Sequence, residues 1–251
     1  MIRQWMRCTG ILKILLLNGG MLSCVSDLGA ADTRLVYSGH THTWLRAVGK
    51  LQVPGQRYND GQLSHYVEDC SATLVALPHS QQSDTIVSAW HCLENYRDVS
   101  KPITFTLWDA FGKTVQREVY RLEDGGGMHA DWAILRLREP VTALQVVALP
   151  ILNAAADPYR PVIMAGYSRD TGIGAAGEVL TYDPDCTITQ QDHNLGDTDC
   201  TAFKGASGGA VIQLSSAGEA FVCGVISQGN GEDRSTYVPL SGFRHSINRH
   251  L

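Results

Sequence analysis

The sequence predicts an all-β fold of the barrel or sandwich kind, closed by one C-terminal helix. Three observations predict it. Short alternating or apolar runs recur along the chain, separated by Gly, Pro and Asn-Asp turn residues. Helical spacing is confined to the end, where Leu240, Phe243, Ile247 and Leu251 recur three or four apart. The 251 residues are 44% hydrophobic and 18% charged with 25 Gly, which fits a loop-rich globular chain with ample core rather than a disordered or repetitive one.

The first 31 residues read as an export signal. Arg3, Arg7 and Lys13 precede an uncharged run from Ile14 to Ser26, and Leu28-Gly29-Ala30-Ala31 forms a small-residue exit. That run is too short to span a bilayer. Secretion or delivery to a periplasm is expected, with a lipid on Cys24 as the alternative anchor. Removing residues 1–31 would shift the net charge from −5 to −7. With no cluster of Lys and Arg to meet phosphates, nucleic acid is not an expected partner.

Beyond the signal lie Cys70, Cys92, Cys186, Cys200 and Cys223. Four fall into two local pairs, Cys70 with Cys92 and Cys186 with Cys200. Each bond would contribute roughly 3 kcal/mol by chain-entropy reasoning. Cys223, inside Ala220-Phe221-Val222-Cys223-Gly224-Val225-Ile226, reads as a buried free thiol. Zinc is disfavoured because no C-x-x-C spacing occurs. No metal or cofactor is expected.

Residues 44–51 alternate and read as a first strand, with turns at Pro54-Gly55 and Asn59-Asp60-Gly61. Cys70 to Leu77 is a strand stopped by Pro78. Thr85 to Cys92 is a buried strand running into a turn. Residues 103–108 and 114–122 form a hairpin around Phe111-Gly112, and a flexible Gly125-Gly126-Gly127 precedes a strand from Asp131 to Leu137. Pro161 to Tyr167, Glu178 to Tyr182, Ala210 to Leu214 and Ala220 to Ser227 follow as strands, and Ser241 is the expected helix cap. Gly172-Ile173-Gly174-Ala175-Ala176-Gly177 matches the dinucleotide fingerprint. A strand-like stretch follows it at once instead of a helix, so it reads as a glycine loop. His40 with His42 lack a third ligand, and His129 reads as loop surface. Asp183, Asp185, Asp192, Asp197 and Asp199 read as a solvated loop rather than a calcium site.

The stretch with chemistry is Lys204-Gly205-Ala206-Ser207-Gly208-Gly209-Ala210. Glycines beside a serine let a carbonyl approach its hydroxyl and bring backbone N–H groups close enough to hold an oxyanion. A serine hydroxyl needs a base to take its proton, and that base needs an acid to orient it. His91, beside Cys92, and Asp131, after the glycine loop, supply both. The order His, Asp, Ser differs from the Ser, acid, His order of α/β-hydrolases, although Gly205-Ala206-Ser207-Gly208-Gly209 also fits G-x-S-x-G.

Ser88-Ala89-Trp90-His91-Cys92 resembles the T-A-A-H-C of the trypsin/chymotrypsin-like serine proteases. Asp131-Trp132-Ala133-Ile134-Leu135 resembles their D-I-A-L-L, and Gly205 to Ala210 resembles G-D-S-G-G-P. Weaker echoes lie at Cys70 to Leu74, Ala165-Gly166-Tyr167 and Gly224 to Ser227. The resemblance spans about Trp44 to Leu251, in the manner of secreted bacterial members. It implies two packed antiparallel six-stranded β-barrels with a C-terminal helix, the first over residues 32–145 and the second over 146–251. It implies peptide or protein substrates, a His91–Asp131–Ser207 triad, an acyl-enzyme, and an oxyanion hole from the N–H groups of Gly205 and Ser207. It places Thr201 at the base of the specificity pocket, with Ala202, Ile226, Ser227, Gly229 and Ser235 on the walls and Lys204 at the rim. With no acid at that base, an uncharged P1 residue is expected.

One departure matters. The family's aspartate before the serine is Ala206 here, and no I-V-G-G activation sequence is present. In trypsin-like zymogens a new N-terminal ammonium pairs with that aspartate, so the serine loop must be held another way. The Cys186–Cys200 bond is the expected device. The rival readings are a non-catalytic binding protein on the same fold and an α/β-hydrolase esterase.

Overall fold

Continuous apolar runs in this chain bury both faces of several strands, as in Val162–Gly166 and Ala210–Leu214, and that places one sheet against another. The computed structural model describes residues 32–97 and 100–251. The export signal and Cys24 lie outside the described residues. A short edge strand β1 (Leu35–Val36) is followed by β2 (Val48–Asn59), β3 (Gln62–Ala76), β4 (Gln82–Ser88), β5 (Ile103–Trp108), β6 (Thr114–Asp124), β7 (Ala133–Thr142) and β8 (Leu149–Pro150). The second half contributes β9 (Val162–Gly166), β10 (Thr181–Cys186), β11 (Ile188–Gln191), β12 (Gly196–Thr198), β13 (Ala210–Leu214), β14 (Ala220–Gly229), β15 (Ser235–Pro239) and the helix α1 (Leu240–Asn248).

The first sheet runs β2-β5-β6-β7-β4-β3, and β3 pairs back onto β2, which closes a six-stranded barrel. Closure removes the exposed strand edges that an open sheet would present. Its interior is filled by Leu51, Leu74, Ile86, Phe105, Leu107 and Leu135, each with no exposed surface. The second sheet runs β1-β10-β9-β13-β14-β15-β12-β11 and forms a half-barrel. On β9, Val162 and Met164 point into its own interior with Val211 and Tyr237, whereas Ile163 and Ala165 join the core shared with the first barrel. A strand apolar on both faces reads as a continuous hydrophobic run, which is how residues 162–165 read.

Two pieces of chain cross the division expected at residue 145. β1, counted in sequence with the first barrel, pairs with β10 of the second sheet. β8 runs parallel to the end of β3 in the first.

The elements differ from the sequence reading at identifiable points. Residues 43–47 form a 3-10 turn, so the first long strand starts at Val48. It continues through Pro54, which pairs with Val67. β5 pairs with β2 only at Lys50–Gln52. Beyond that, one side of β2 is free of ladder partners, where a residue without an N–H is tolerated. Strand β10 begins at Thr181, with Glu178 in the preceding turn. Ser241 does not cap the helix; Leu240 already opens it behind Pro239. The acidic loop is not simply solvated, because Asp183 and Asp197 are buried. Asp197 accepts from Arg234 and Thr236. Cys223 is buried and outside either disulfide, and burial pushes its thiol up to about 12, far from the reactive thiolate range.

The chain end is tied to the first barrel through Glu123 of β6. Ser246, Arg249 and His250 converge on its carboxylate, at 2.7, 2.6 and 3.1 Å. The Ser246 hydrogen bond leads, and with Arg249 and His250 it outweighs desolvation to hold the carboxyl down at about 2, against an ordinary 4.5. A depressed carboxyl contributes stability above its unfolded pKa and loses it as pH falls through the folded value. The side chain is 30% exposed, so solvent screening leaves on the order of 1 kcal/mol. Glu123→Gln is expected to lower stability at pH 6 by that amount, with the gap to wild type closing between pH ~4.5 and ~2. Urea unfolding across that range checks it, and a gap independent of pH would contradict it.

Candidate active site

β4 is a buried central strand that ends at Ser88 and turns at once into the 3-10 segment Trp90–Leu93. Cys92 in that turn is bonded to Cys70 of β3, with Cα atoms 6.2 Å apart, so the histidine between them is held on a short tether. The second expected bond, Cys186–Cys200, is also formed.

Asp131 sits just before β7 and is 1% exposed. The preceding glycines do more than confer flexibility. A Cβ on Gly125 would lie 1.9 Å from the Ala130 carbonyl oxygen, so only glycine lets the loop fold back on itself there. Asp131 Oδ1 accepts the His91 backbone N–H at 2.9 Å, and Oδ2 accepts from His91 Nδ1 at 2.8 Å. Ser227 Oγ donates to the same Oδ2 at 2.5 Å. Burial alone would push this carboxyl up. The His91 hydrogen bond and charge, with Ser227, outweigh burial and leave it below the ordinary carboxylate range. An ionised carboxylate only accepts, so His91 Nδ1 carries the proton and Nε2 has its lone pair free.

The serine loop is built from tight turns. Gly205 and Gly208 have φ of +94° and +83°. A Cβ on Gly208 would lie 2.2 Å from both the Ser71 carbonyl and the Ser88 hydroxyl. The Ala206, Gly208 and Gly209 N–H groups bond to Phe203, Ile226 and Ala206 carbonyls. Among the described residues, the N–H groups of Gly205 and Ser207 have no such partner. Ser207 Oγ donates to the Ser227 carbonyl at 3.3 Å. Ser207 and His91 line one cavity of about 400 Å³ with Met128, Ala202, Phe203, Lys204, Ile226, Ser227, Gln228 and Gly229.

The same stretch of chain matches the model of the trypsin-like peptidase domain over residues 70–224, which includes all three of these side chains. The chain belongs to the trypsin-like peptidase domain family. Among solved structures, the "Structure of GrC" superposes with a TM-score of 0.62 at 16% identity, covering 87% of this chain and 98% of that one. At that identity the likeness speaks for the fold alone. No curated protein matches the sequence. The barrel and half-barrel of this peptidase domain, built of antiparallel ladders, leave no place for an α/β-hydrolase, whose sheet is built from βαβ units.

Of the residues expected around a specificity pocket, Ala202, Lys204, Ile226, Ser227 and Gly229 border the cavity that also holds His91 and Ser207. Thr201 does not. Its hydroxyl donates to the Glu232 carbonyl at 2.5 Å, and it lines a small space on the other side of the loop. Ser235 is fully buried and donates to the Cys200 carbonyl. Ser227 has a second use that the sequence reading missed, as the third donor to Asp131. Phe203 and Met128, also unanticipated, supply apolar wall.

Ser71 is the other residue that was missed. It has no exposed surface, and its hydroxyl accepts from Tyr167 N–H and donates to the Gly205 carbonyl, both at 2.8 Å. Its own N–H donates to the Ser207 carbonyl at 2.8 Å. The Lys204 carbonyl accepts from Arg169 N–H at 2.6 Å. These contacts hold the serine loop directly, whereas the Cys186–Cys200 bond, credited with that task from sequence, joins β10 to the chain before the loop.

Proposed function

We propose that this chain is an exported serine endopeptidase that cleaves peptide bonds through an acyl-enzyme, with residues 32–145 and 146–251 as its two halves. The observation that carries the reading is that a buried carboxylate orients His91 with Nε2 free, in a cavity that also contains Ser207. Rotation about the Ser207 Cα–Cβ bond, a picosecond-to-nanosecond motion, exchanges the Ser227 carbonyl for His91 as the acceptor of its proton. Such hydrogen bonds commonly tighten only when substrate is bound.

His91 then takes the proton as Ser207 attacks the scissile carbonyl, and Asp131 stabilises the imidazolium that forms. The unpartnered N–H groups of Gly205 and Ser207 meet the developing oxyanion. His91 returns the proton to the leaving amine, and water repeats the sequence to release the acid. Two disulfides fit an oxidising compartment. Among the described residues no helix is long and apolar enough to cross a membrane.

Among the described residues no carboxylate lines the cavity, and Lys204 at its mouth is exposed. Its walls approach closely, since a Cβ on Gly229 would lie 2.2 Å from the Ala202 carbonyl. Uncharged P1 side chains of modest size are therefore the expected substrates. Cleavage of a peptide library, sequenced by mass spectrometry, tests this. Enrichment of such residues at P1 is expected, and a dominant preference for Arg, Lys, Asp or Glu would contradict it.

A further inference from the structure

Ala206 leaves the serine loop without the carboxylate on which an ammonium switch would act, yet the loop's buried side is occupied by a cation. Arg34, from the segment before the first barrel, is 3% exposed. Its Nη1 donates to Asp170 at 2.8 Å, while Nε and Nη2 donate to Asp32 at 2.9 and 2.6 Å. The guanidinium carbon lies 4.2 Å from the centroid of the Phe203 ring. Arg34 also shares with Thr201, Ala202, Ala206 and Ile226 a nearly filled space of about 10 Å³ beneath the loop.

We infer that Arg34 is a positioning residue that locks the loop from Phe203 to Ser207 in its hydrolytic arrangement, delivered by an N-terminal segment that acts as an internal, permanently engaged clamp. The inference rests on the reading of Ser207 as nucleophile. A buried guanidinium is costly unless its donors are met, and here both of its pairs are spent on holding structure. Through Asp170 it secures the stretch 169–176, because Asp170 also accepts from Gly174 N–H at 3.1 Å and, by its carbonyl, from Ala176 N–H at 2.7 Å. Arg169, the adjacent residue, donates to the Lys204 carbonyl and so sets the plane of the Lys204–Gly205 peptide that carries the Gly205 N–H. By stacking on Phe203, Arg34 secures the start of the loop from below.

The rest of the segment reinforces both ends. Thr33 Oγ1 donates to Asp183 Oδ2 at 2.7 Å, and the same oxygen accepts the Thr201 N–H at 3.0 Å. Leu35 and Val36 then pair with Tyr182 and Thr181, which fixes the depth at which Arg34 enters. A segment that served only to cover the sheet edge would have no need to carry a buried cation to the loop.

The test compares the full chain with Arg34→Met, Arg34→Lys and Arg34→Met/Asp170→Asn, the last so that Asp170, the less exposed of the two carboxylates that Arg34 pairs with, is not left unpaired to unfold the protein. Each is assayed for thermal unfolding, for p-nitrophenyl ester hydrolysis and for the rate of labelling by a fluorophosphonate. Loss of one oxyanion donor costs about 10²–10³ in turnover, so Arg34→Met is expected to lower kcat and the labelling rate about 10²-fold with little change in KM. The double variant should regain thermal stability without regaining kcat, and Arg34→Lys should fall between. A folded double variant that labels at the wild-type rate overturns the inference and leaves Ser207 in place. A wild-type chain that does not label at all overturns the reading of Ser207 itself, and this inference with it.

Discussion

Replacing Ser207 by alanine is expected to lower kcat for peptide hydrolysis about 10⁶-fold, as removal of a triad serine does where the reaction passes through an acyl-enzyme. The loop should survive the change, because its turns are made by backbone groups and by the Ser71 hydroxyl rather than by Ser207 Oγ. Among the described residues that hydroxyl makes one hydrogen bond, the 3.3 Å bond to the Ser227 carbonyl, which lies at the long end of the range. Thermal stability should therefore match wild type while turnover disappears. Undiminished hydrolysis by a folded alanine variant would place the chemistry elsewhere.

Asp131→Asn is expected to cost about 10⁴ in kcat. The carboxylate accepts three hydrogen bonds at once, from the His91 backbone, from His91 Nδ1 and from Ser227. An asparagine can turn its NH₂ toward His91, which drives the imidazole into the tautomer with Nε2 protonated, unable to serve as a base. If its NH₂ instead takes the Oδ1 position, it faces the His91 backbone N–H, donor against donor, so neither orientation reproduces the native network. Steady-state kinetics with a chromogenic ester or peptide reads the loss. A variant with native stability and near-native kcat would show that Asp131 does not orient the base.

Much of this site was legible because the chemistry demands particular residues in particular local settings. A serine needs glycines on both sides to be approached, and a histidine beside a paired cysteine is pinned; both facts are local in sequence. The fold class was legible for the same kind of reason, through alternation and turn residues. What could not be read were the contacts made across the fold. Ser71 lies 134 residues from the Gly205 carbonyl it holds, and Ser227 lies 96 from Asp131. Arg34 lies 136 residues from Asp170.

Alignment placed Thr201 in the pocket because the chain passes that point. Its side chain faces away, drawn by the Glu232 carbonyl and by the Asp183 carboxylate on its N–H. Short polar strands such as β12 and β15 carry too few apolar positions to show a period. They form because the neighbouring ladder supplies partners, with Tyr237 filling the sheet interior. Pro54 in β2 was read as a turn since proline usually ends a strand. Only the pairing pattern reveals that its missing N–H faces no partner on the open side.

The most direct test of the whole account is labelling of the purified chain with a fluorophosphonate, followed by peptide mapping. Phosphonylation requires an activated serine, a free base and an oxyanion site together, so it reports the assembled geometry rather than the presence of any one residue. One adduct per chain, located on Ser207 and abolished in Ser207→Ala, is the predicted result. A folded chain that takes up no label, or takes it up on another residue, would contradict it.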